Sequence, residues 1–405
     1  MIIVFTHTDL RLYWLARLEA LSVVLAERGD RLEVVEIAGK GSPYSFAGPG
    51  KGTEAMENWM CLYPDCRMED IRPREASRSL YSKLDELSPD VVISGAPAFT
   101  SGATAVQWAR DHHRPVVVFD NARRQDVPRP WWVRFVKWRF YCNTDAMLIP
   151  ALSHAPDYCS WGIRKDRIFF GVNVVNNEFF QTRSNRARRK CSDILSDLRL
   201  PERFIAVVGR QIAIKNFSSV IRSFHGIPPP ISHGWSLVFV GDGPELDANR
   251  DLAEELGVEV QFIPFLSQDD LCAIYGLADA LILPSWNETW GLVVNEAMAC
   301  GLPVLVSECC GCASTLVEEN RNGLTFNPGD IKQQSEVLCR FMRLSREARE
   351  DMGEESRLII SDWGLDRFVD GVLQAIGSCK EVSRGYGNIL DYVLIRFWKG
   401  RYRPV

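Results

Sequence analysis

Short apolar runs alternate along the chain with longer stretches whose apolar residues recur at helical spacing. The runs cover residues 2–5, 32–37, 91–94, 116–119, 146–149 and 168–170, then 205–208, 237–240, 260–263, 281–283 and 304–306. Runs this short and continuously apolar read as strands buried on both faces, and the segments between them are long enough for helices. The alternation predicts parallel α/β sheets covered by helices. A polar, basic stretch, Thr182-Arg-Ser-Asn-Arg-Ala-Arg-Arg-Lys190, lies in the seam at 181–200 before the second series begins. The expected architecture is therefore two Rossmann-like domains facing each other across a cleft, an N-terminal one over 1–185 and a second over 186–363. In such sheets ligands bind beyond the carboxyl ends of the strands. No internal repeat or low-complexity segment interrupts the pattern.

Composition adds bounds. A chain of 405 residues exceeds the size at which one core keeps growing, so two domains are expected. With 46% hydrophobic and 24% charged residues it has an ordinary globular composition. The net charge of -5 argues against bulk nucleic-acid binding. Twelve cysteines are scattered rather than spaced as a secreted scaffold, which reads as reduced and cytoplasmic. The local cluster Cys309-Cys310-Gly-Cys312 lacks a second Cys/His pair at zinc spacing and reads as a loop, not a metal site. The chain opens directly into a strand-like run, without a basic, apolar leader. No apolar run approaches the roughly 20 residues of a membrane span.

The chemistry concentrates in the second series. Glu288 follows the apolar run 280–284, and Glu296 lies eight residues on, in the predicted helix. On one continuous helix that spacing separates two carboxylates by roughly 12 Å with a rotation of about 80°. The pair would then flank one extended ligand, with the amides of Gly291, Leu292 and Val293 offered to its negative centre. Gly209-Arg210, after the run 205–208, is followed by Lys215-Asn216 at the start of a helix predicted over 217–224. A guanidinium fork and an ammonium in a glycine-begun loop suit a diphosphate. The run 237–240 ends in Gly241-Asp-Gly-Pro-Glu245, where backbone can approach a ligand closely or simply turn.

Together, Gly209-Arg-x4-Lys-Asn216, Val240-Gly-Asp-Gly-Pro244, Glu288-x7-Glu296-Ala-Met-Ala-Cys-Gly-Leu-Pro-Val304 and Asn322-Gly-Leu-Thr-Phe-Asn-Pro-Gly-Asp330 resemble the retaining GT-B glycosyltransferases of family 4. The resemblance spans about residues 130–370, including Pro128-Arg-Pro-Trp-Trp132 and Gly171-Val-Asn-Val-Val-Asn-Asn-Glu-Phe-Phe180. It implies a nucleotide-sugar donor, UDP- or GDP-linked, and an acceptor that is a glycan or lipid-linked sugar. Glu288 would face the donor sugar and Glu296 the ribose hydroxyls. Arg210 and Lys215 would neutralise the departing diphosphate. Gly209, Gly241, Thr289, Gly291, Leu292 and Val293 would line the donor, and Pro264-Phe265-Leu266 would hold the base by main-chain contacts. The resemblance further implies retention by same-face attack and no metal or other cofactor. Trp363-Gly-Leu-Asp-Arg-Phe368 resembles the family's crossover, with residues 364–405 returning to the N-terminal domain.

The first half departs from the family pattern. After the first run stands Thr6-His-Thr-Asp-Leu-Arg-Leu-Tyr13, with no glycine-rich loop. His7 and Asp120, the latter at the end of the run 116–119, are the acceptor-side candidates. His112 and His113 precede that run, at its wrong end, and read as surface residues. Arg123, Arg124 and Arg129, then Trp131-Trp132-Val-Arg-Phe-Val-Lys-Trp-Arg-Phe140, interleave cations with large aromatics. Residues 392–402 repeat the theme with Arg396, Lys399 and Arg401. That composition suits an anionic membrane surface and a peripheral location on the inner face, against the alternative of an aromatic face packed on its own sheet. Rival readings of the whole are a non-catalytic sugar-nucleotide-binding scaffold and a GT-B epimerase.

Overall fold

The computed structural model describes residues 1–10, 12–40, 55–126, 130–191, 198–379 and 385–400. The expectations placed on Pro128, Arg129, Arg401 and Tyr402, and on the part of the seam at 192–197, fall outside them. The chain divides into two units, Met1–Val174 with Leu365–Val405, and Val175–Gly364.

The sheet of the first unit contains β1 (Ile2–His7), β2 (Arg31–Lys40), β3 (Trp59–Arg67), β4 (Val91–Ser94), β5 (Val116–Phe119), β6 (Ala146–Ile149) and β7 (Ile168–Phe170). Its order is β3-β2-β1-β4-β5-β6-β7, and every pairing is parallel. Side chains alternate between two cores as the pleat requires. Ile3, Phe5, Ile93, Val117 and Leu148 join Leu18, Leu21 and Leu25 of helix Trp14–Glu27 and Phe368 and Val372 of helix Leu365–Ser378. Val4, Val92, Val116, Val118 and Met147 join Leu80 and Leu84 of helix Pro73–Leu87 and Ala105 and Val106 of helix Thr100–Asp111. Burying each such leucine contributes about 1.5–3 kcal/mol.

The sheet of the second unit contains β8 (Phe204–Val208), β9 (Ser236–Val240), β10 (Val260–Ile263), β11 (Ala280–Leu283), β12 (Val304–Ser307) and β13 (Gly323–Phe326). Its order is β10-β9-β8-β11-β12-β13, again all parallel. Both units are thus Rossmann-like, as the alternation of runs predicts. In each the strand order reverses direction beside the first strand, between β1 and β4 and between β8 and β11. Binding sites form outside the carboxyl ends of strands at such reversals.

The apolar runs miss two strands, β3 and β13, and both are edges. β3 buries only Trp59, ends in the charged residues Asp65 and Arg67, and carries Pro64, which an edge tolerates. Gly39 of β2 leaves room for it, since a Cβ there would lie 2.4 Å from the Pro64 carbonyl oxygen. β13 opens with Gly323, where a Cβ would lie 2.1 Å from the carbonyl oxygen of Val304.

The register of β1 with β2 pairs His7 with Glu36 at the carboxyl end of the first sheet. Glu36 is buried, and its Oε2 accepts a hydrogen bond from the Leu10 amide at 3.0 Å. Burial pushes its carboxyl up to about 7. The His7 ring lies among Trp14, Phe99 and Phe119, with centroids 6.3, 5.5 and 5.2 Å away. Its Nδ1 is buried without a hydrogen-bond partner, and a Cβ on Gly95 would meet that atom at 2.5 Å. Burial lowers the imidazole to about 4, so it is neutral at neutral pH. The two groups act oppositely on stability. His7 costs stability as pH falls from its ordinary 6.5 toward about 4, because the unfolded chain takes up the proton first. Glu36 costs stability as pH rises from 4.5 toward about 7, because the unfolded chain ionises first. Chemical unfolding across this window should therefore show His7→Asn gaining most, relative to the parent, at the acid end. Glu36→Gln should gain most at the neutral end; parallel shifts at all pH values would contradict the assignment.

Candidate active site

Three loops leave the carboxyl ends of β8, β9 and β11 in the second unit. The first two are joined by main chain and by one buried amide. Gly209 N donates to Val240 O at 3.0 Å, and Gln211 N to Asp242 O at 2.9 Å. The fully buried Gln211 donates through Nε2 to Gly241 O at 2.9 Å and accepts from Asn249 Nδ2 at 2.9 Å. Such contact needs glycine. Gly241 has φ 126°, and a Cβ on it would lie 2.2 Å from the Gly209 carbonyl oxygen. Sequence reading passed over Gln211; its only signal is a polar residue between Arg210 and the apolar Ile212.

The first and third loops meet through Asn216. Its backbone is left-handed, at φ 55°, a conformation asparagine tolerates better than most residues. Its Nδ2 donates to Pro284 O at 3.2 Å and to Pro328 O at 3.1 Å, and Trp286 N donates to Ile214 O at 2.9 Å. Lys215 is thereby presented to the third loop, where its ammonium forms an ion pair with the Glu288 carboxylate. Each side chain of the pair is under one-fifth exposed, at 18% and 19%. Glu288 is held through its backbone as well: Gly311 N donates to Glu288 O at 2.8 Å, and Cys312 N to Trp290 O at 3.0 Å. The cysteine-rich loop is thus a brace for Glu288. Among the described residues, no group of three or more His, Cys, Asp or Glu is placed to hold a metal ion.

The geometry of the two glutamates differs from the continuous-helix expectation. Gly291, at φ 106°, turns the chain left-handed, and the helix runs only from Leu292 to Ala299. Glu288 lies outside it, in an isolated parallel bridge with Cys310. Glu296 is only one turn in, so the separation expected for a single helix does not apply. Glu296 is almost fully buried, 1% exposed, and accepts a hydrogen bond from Tyr275 Oη at 2.8 Å. Gly291 caps the helix without a side-chain hydrogen bond, its carbonyl accepting from the Val294 amide at 2.9 Å, and the amides of Leu292 and Val293 precede the first intrahelical bond. Leu292 and Val293, half-buried, stand on that turn. Trp290 Nε1 donates to Asn295 Oδ1 at 2.9 Å and its ring packs on Trp363, which fixes the turn from behind.

The remaining donor-side candidates spread around this edge. Arg210 is half-buried in the first loop, and Thr289 half-buried beside Glu288. Phe265 is 37% exposed beyond β10; its amide donates to Asp242 Oδ2 at 2.9 Å, which ties the loop with Leu266 to the glycine loop after β9.

The acceptor-side candidates belong to the first unit, described on its own. His7 and Asp120 stand at the carboxyl ends of β1 and β5. Asp120 accepts from Tyr141 Oη at 2.5 Å, from Lys137 Nζ at 3.3 Å and from the Ala122 amide at 3.1 Å. Burial opposes its ionisation, but the Lys137 ammonium and these hydrogen bonds outweigh it and hold the carboxyl below its usual range. His112 and His113 are exposed at the amino end of β5, as expected.

Comparison with known proteins agrees with this layout. Residues 196–358 match the family model of glycosyl transferases group 1. The sulfoquinovosyl transferase of Arabidopsis thaliana is 26% identical over 307 residues, 69% of this chain and 55% of that protein. A D-inositol 3-phosphate glycosyltransferase of Salinispora arenicola is 33% identical over 202 residues, 47% of this chain and 44% of that protein. The chain thus spans about half the length of these curated relatives. Among solved structures, Anabaena HepE in complex with UDP superposes with a TM-score of 0.71 at 15% identity, covering 93% of this chain and all of that one. The same protein has been solved with UDP-glucose. The two parallel sheets are those of the GT-B fold, and from residue 196 to 358 the second unit is matched by glycosyl transferases group 1.

Proposed function

We propose that the protein is a metal-independent, retaining glycosyltransferase of family 4 that moves a sugar from a nucleotide-diphosphate donor to a glycan or glycolipid acceptor, in cell-surface polysaccharide synthesis. The observation that carries the reading is the Lys215–Glu288 ion pair, set between a glycine-hinged loop and an uncapped helix start at a strand-order reversal. A donor entering this edge offers each partner something better than the other. Its diphosphate takes the Lys215 ammonium, with Arg210 and the amides at Gly291, Leu292 and Val293 adding fixed positive ends of dipoles. Its sugar hydroxyls take the Glu288 carboxylate. Glu296, oriented by Tyr275, is assigned to the ribose hydroxyls, and the Phe265–Leu266 backbone to the base. When the sugar leaves, charge builds on the diphosphate, where preorganised cations and amides count most. Attack from the face of departure needs no protein nucleophile. The UDP-glucose complex of HepE supports a nucleotide-sugar donor. His7 and Asp120 are assigned to the acceptor side, with the histidine acting as a neutral group.

Lys215→Ala should lower the rate of nucleoside diphosphate release by about 10²–10³-fold, the loss typical of one transition-state charge partner, while donor affinity by calorimetry changes far less. Glu296→Ala should instead weaken donor binding by about tenfold or more, because a buried donor hydroxyl on Tyr275 loses its acceptor as well. Thermal shift against a panel of nucleotide sugars identifies the donor, since a ligand of the folded state raises its stability. A chain that binds a nucleotide sugar tightly but never releases nucleoside diphosphate, with or without acceptor, is a scaffold and sinks the enzymatic reading.

A further inference from the structure

Two helices of the first unit leave large apolar side chains outside. In helix Trp131–Cys142, Trp131 is 77% exposed, Trp132 50%, Phe135 37% and Trp138 38%, whereas Phe140 and Tyr141 are buried. Positions 131, 135 and 138 share one face. In helix Ile389–Phe397, residues Ile389, Val393 and Phe397 lie four apart on one face and are 83%, 43% and 77% exposed. Its opposite face buries Asp391 and Ile395. The two helices pack against each other, with Arg139 and Asp391 forming an ion pair at 2.5 Å between them. Both exposed rows therefore belong to one packed helix pair of the first unit.

Charge decides what such a surface meets. Helix Trp131–Cys142 carries Arg134, Lys137 and Arg139 and no acid. The one acid of the other helix, Asp391, is buried on Arg139. Neither helix exposes a carboxylate. Arg134 is exposed, and Arg396, 49% exposed, is ion-paired with Asp111 at 3.8 Å while keeping much of its side chain open to solvent. Lys137 serves another purpose, with its ammonium 3.3 Å from the Trp161 ring centroid and its charge on Asp120. Arg123 is likewise spent on Asp126 at 2.8 Å. A second copy of the chain laid on this surface would set arginine against arginine. Lipid phosphates neutralise them, and tryptophan, with an apolar body and one N–H, favours the headgroup depth. Among the described residues no helix is long and apolar enough to cross a membrane, so the contact is with a surface.

We propose that this face docks the protein on an anionic bilayer, with Trp131, Trp132, Trp138 and Phe397 entering the headgroup layer and Arg134 and Arg396 on lipid phosphates. The inference is independent of the donor chemistry assigned to the other unit. The test is flotation of the full chain with phosphatidylcholine vesicles, with and without phosphatidylglycerol. Binding should require phosphatidylglycerol and weaken with salt. R134Q/R396Q should lose affinity by about fivefold or more per arginine. W131S/W132S/F397S should lose about tenfold or more, with the melting temperature and nucleoside diphosphate release of both variants unchanged. The proposal is overturned if the parent does not float with anionic vesicles, or if both variants float as the parent does. It is equally overturned if sedimentation shows a dimer that the variants dissolve while no vesicle is bound.

Discussion

The loop-bearing edge of the second unit, where the candidate site lies, depends on one buried amide. Gln211 is fully buried and uses both ends of its side chain, donating to Gly241 O and accepting from Asn249. A buried amide left half-paired costs about 1–3 kcal/mol, so the loops after β8 and β9 keep their contact or lose both bonds together. The absence of side chains at Gly241 and Gly243 makes the contact sterically feasible, and Gln211 makes it specific. Lys215 follows four residues later, and Asn216 spans to the third loop. The placement of the cation is thus inherited from packing beneath it.

The first unit uses a different economy of polar groups. Its strand ends hold ionisable residues that burial keeps from their usual charge states, a neutral His7 in an aromatic box and a protonation-prone Glu36. Asp120 is the exception, ionised because Lys137 and Tyr141 converge on it. The same Lys137 belongs to the helix whose outer face carries Trp131 and Trp138. One helix therefore connects the end of β5 with the exposed aromatic surface.

The fold was legible where burial was symmetrical. Strands covered on both faces, such as β4 and β8, are uninterrupted apolar runs, and their alternation with helices admits little but parallel sheets. The edges β3 and β13 were not: Pro64 breaks β3, which mixes buried with exposed positions, and in the four-residue β13 Gly323 and Thr325 interrupt the apolar run. At the candidate site, residue types and loop positions could be read from the sequence. Pairings could not: Lys215 and Glu288 lie 73 residues apart, and nothing local says that the cation meets its own acid. The continuous-helix picture of Glu288 and Glu296 failed at Gly291, whose positive φ no periodicity reports. Tyr275 on Glu296 was invisible for the same reason, as a contact between helices distant in sequence.

In the proposed donor site, the Lys215–Glu288 pair would also bear on which anions are accepted. A lysine with no counter-charge, beside open helix amides, would capture any small oxyanion, and orthophosphate is abundant wherever nucleotides are. Here such an anion would compete with Glu288 for the ammonium and would have to separate an existing ion pair. On the proposed function, a sugar joined to a diphosphate would satisfy both ends at once, its anion on Lys215 and its hydroxyls on Glu288. On that reading the ion pair would work as a two-key lock, disfavouring simple phosphate relative to the donor through a contact made before any ligand arrives.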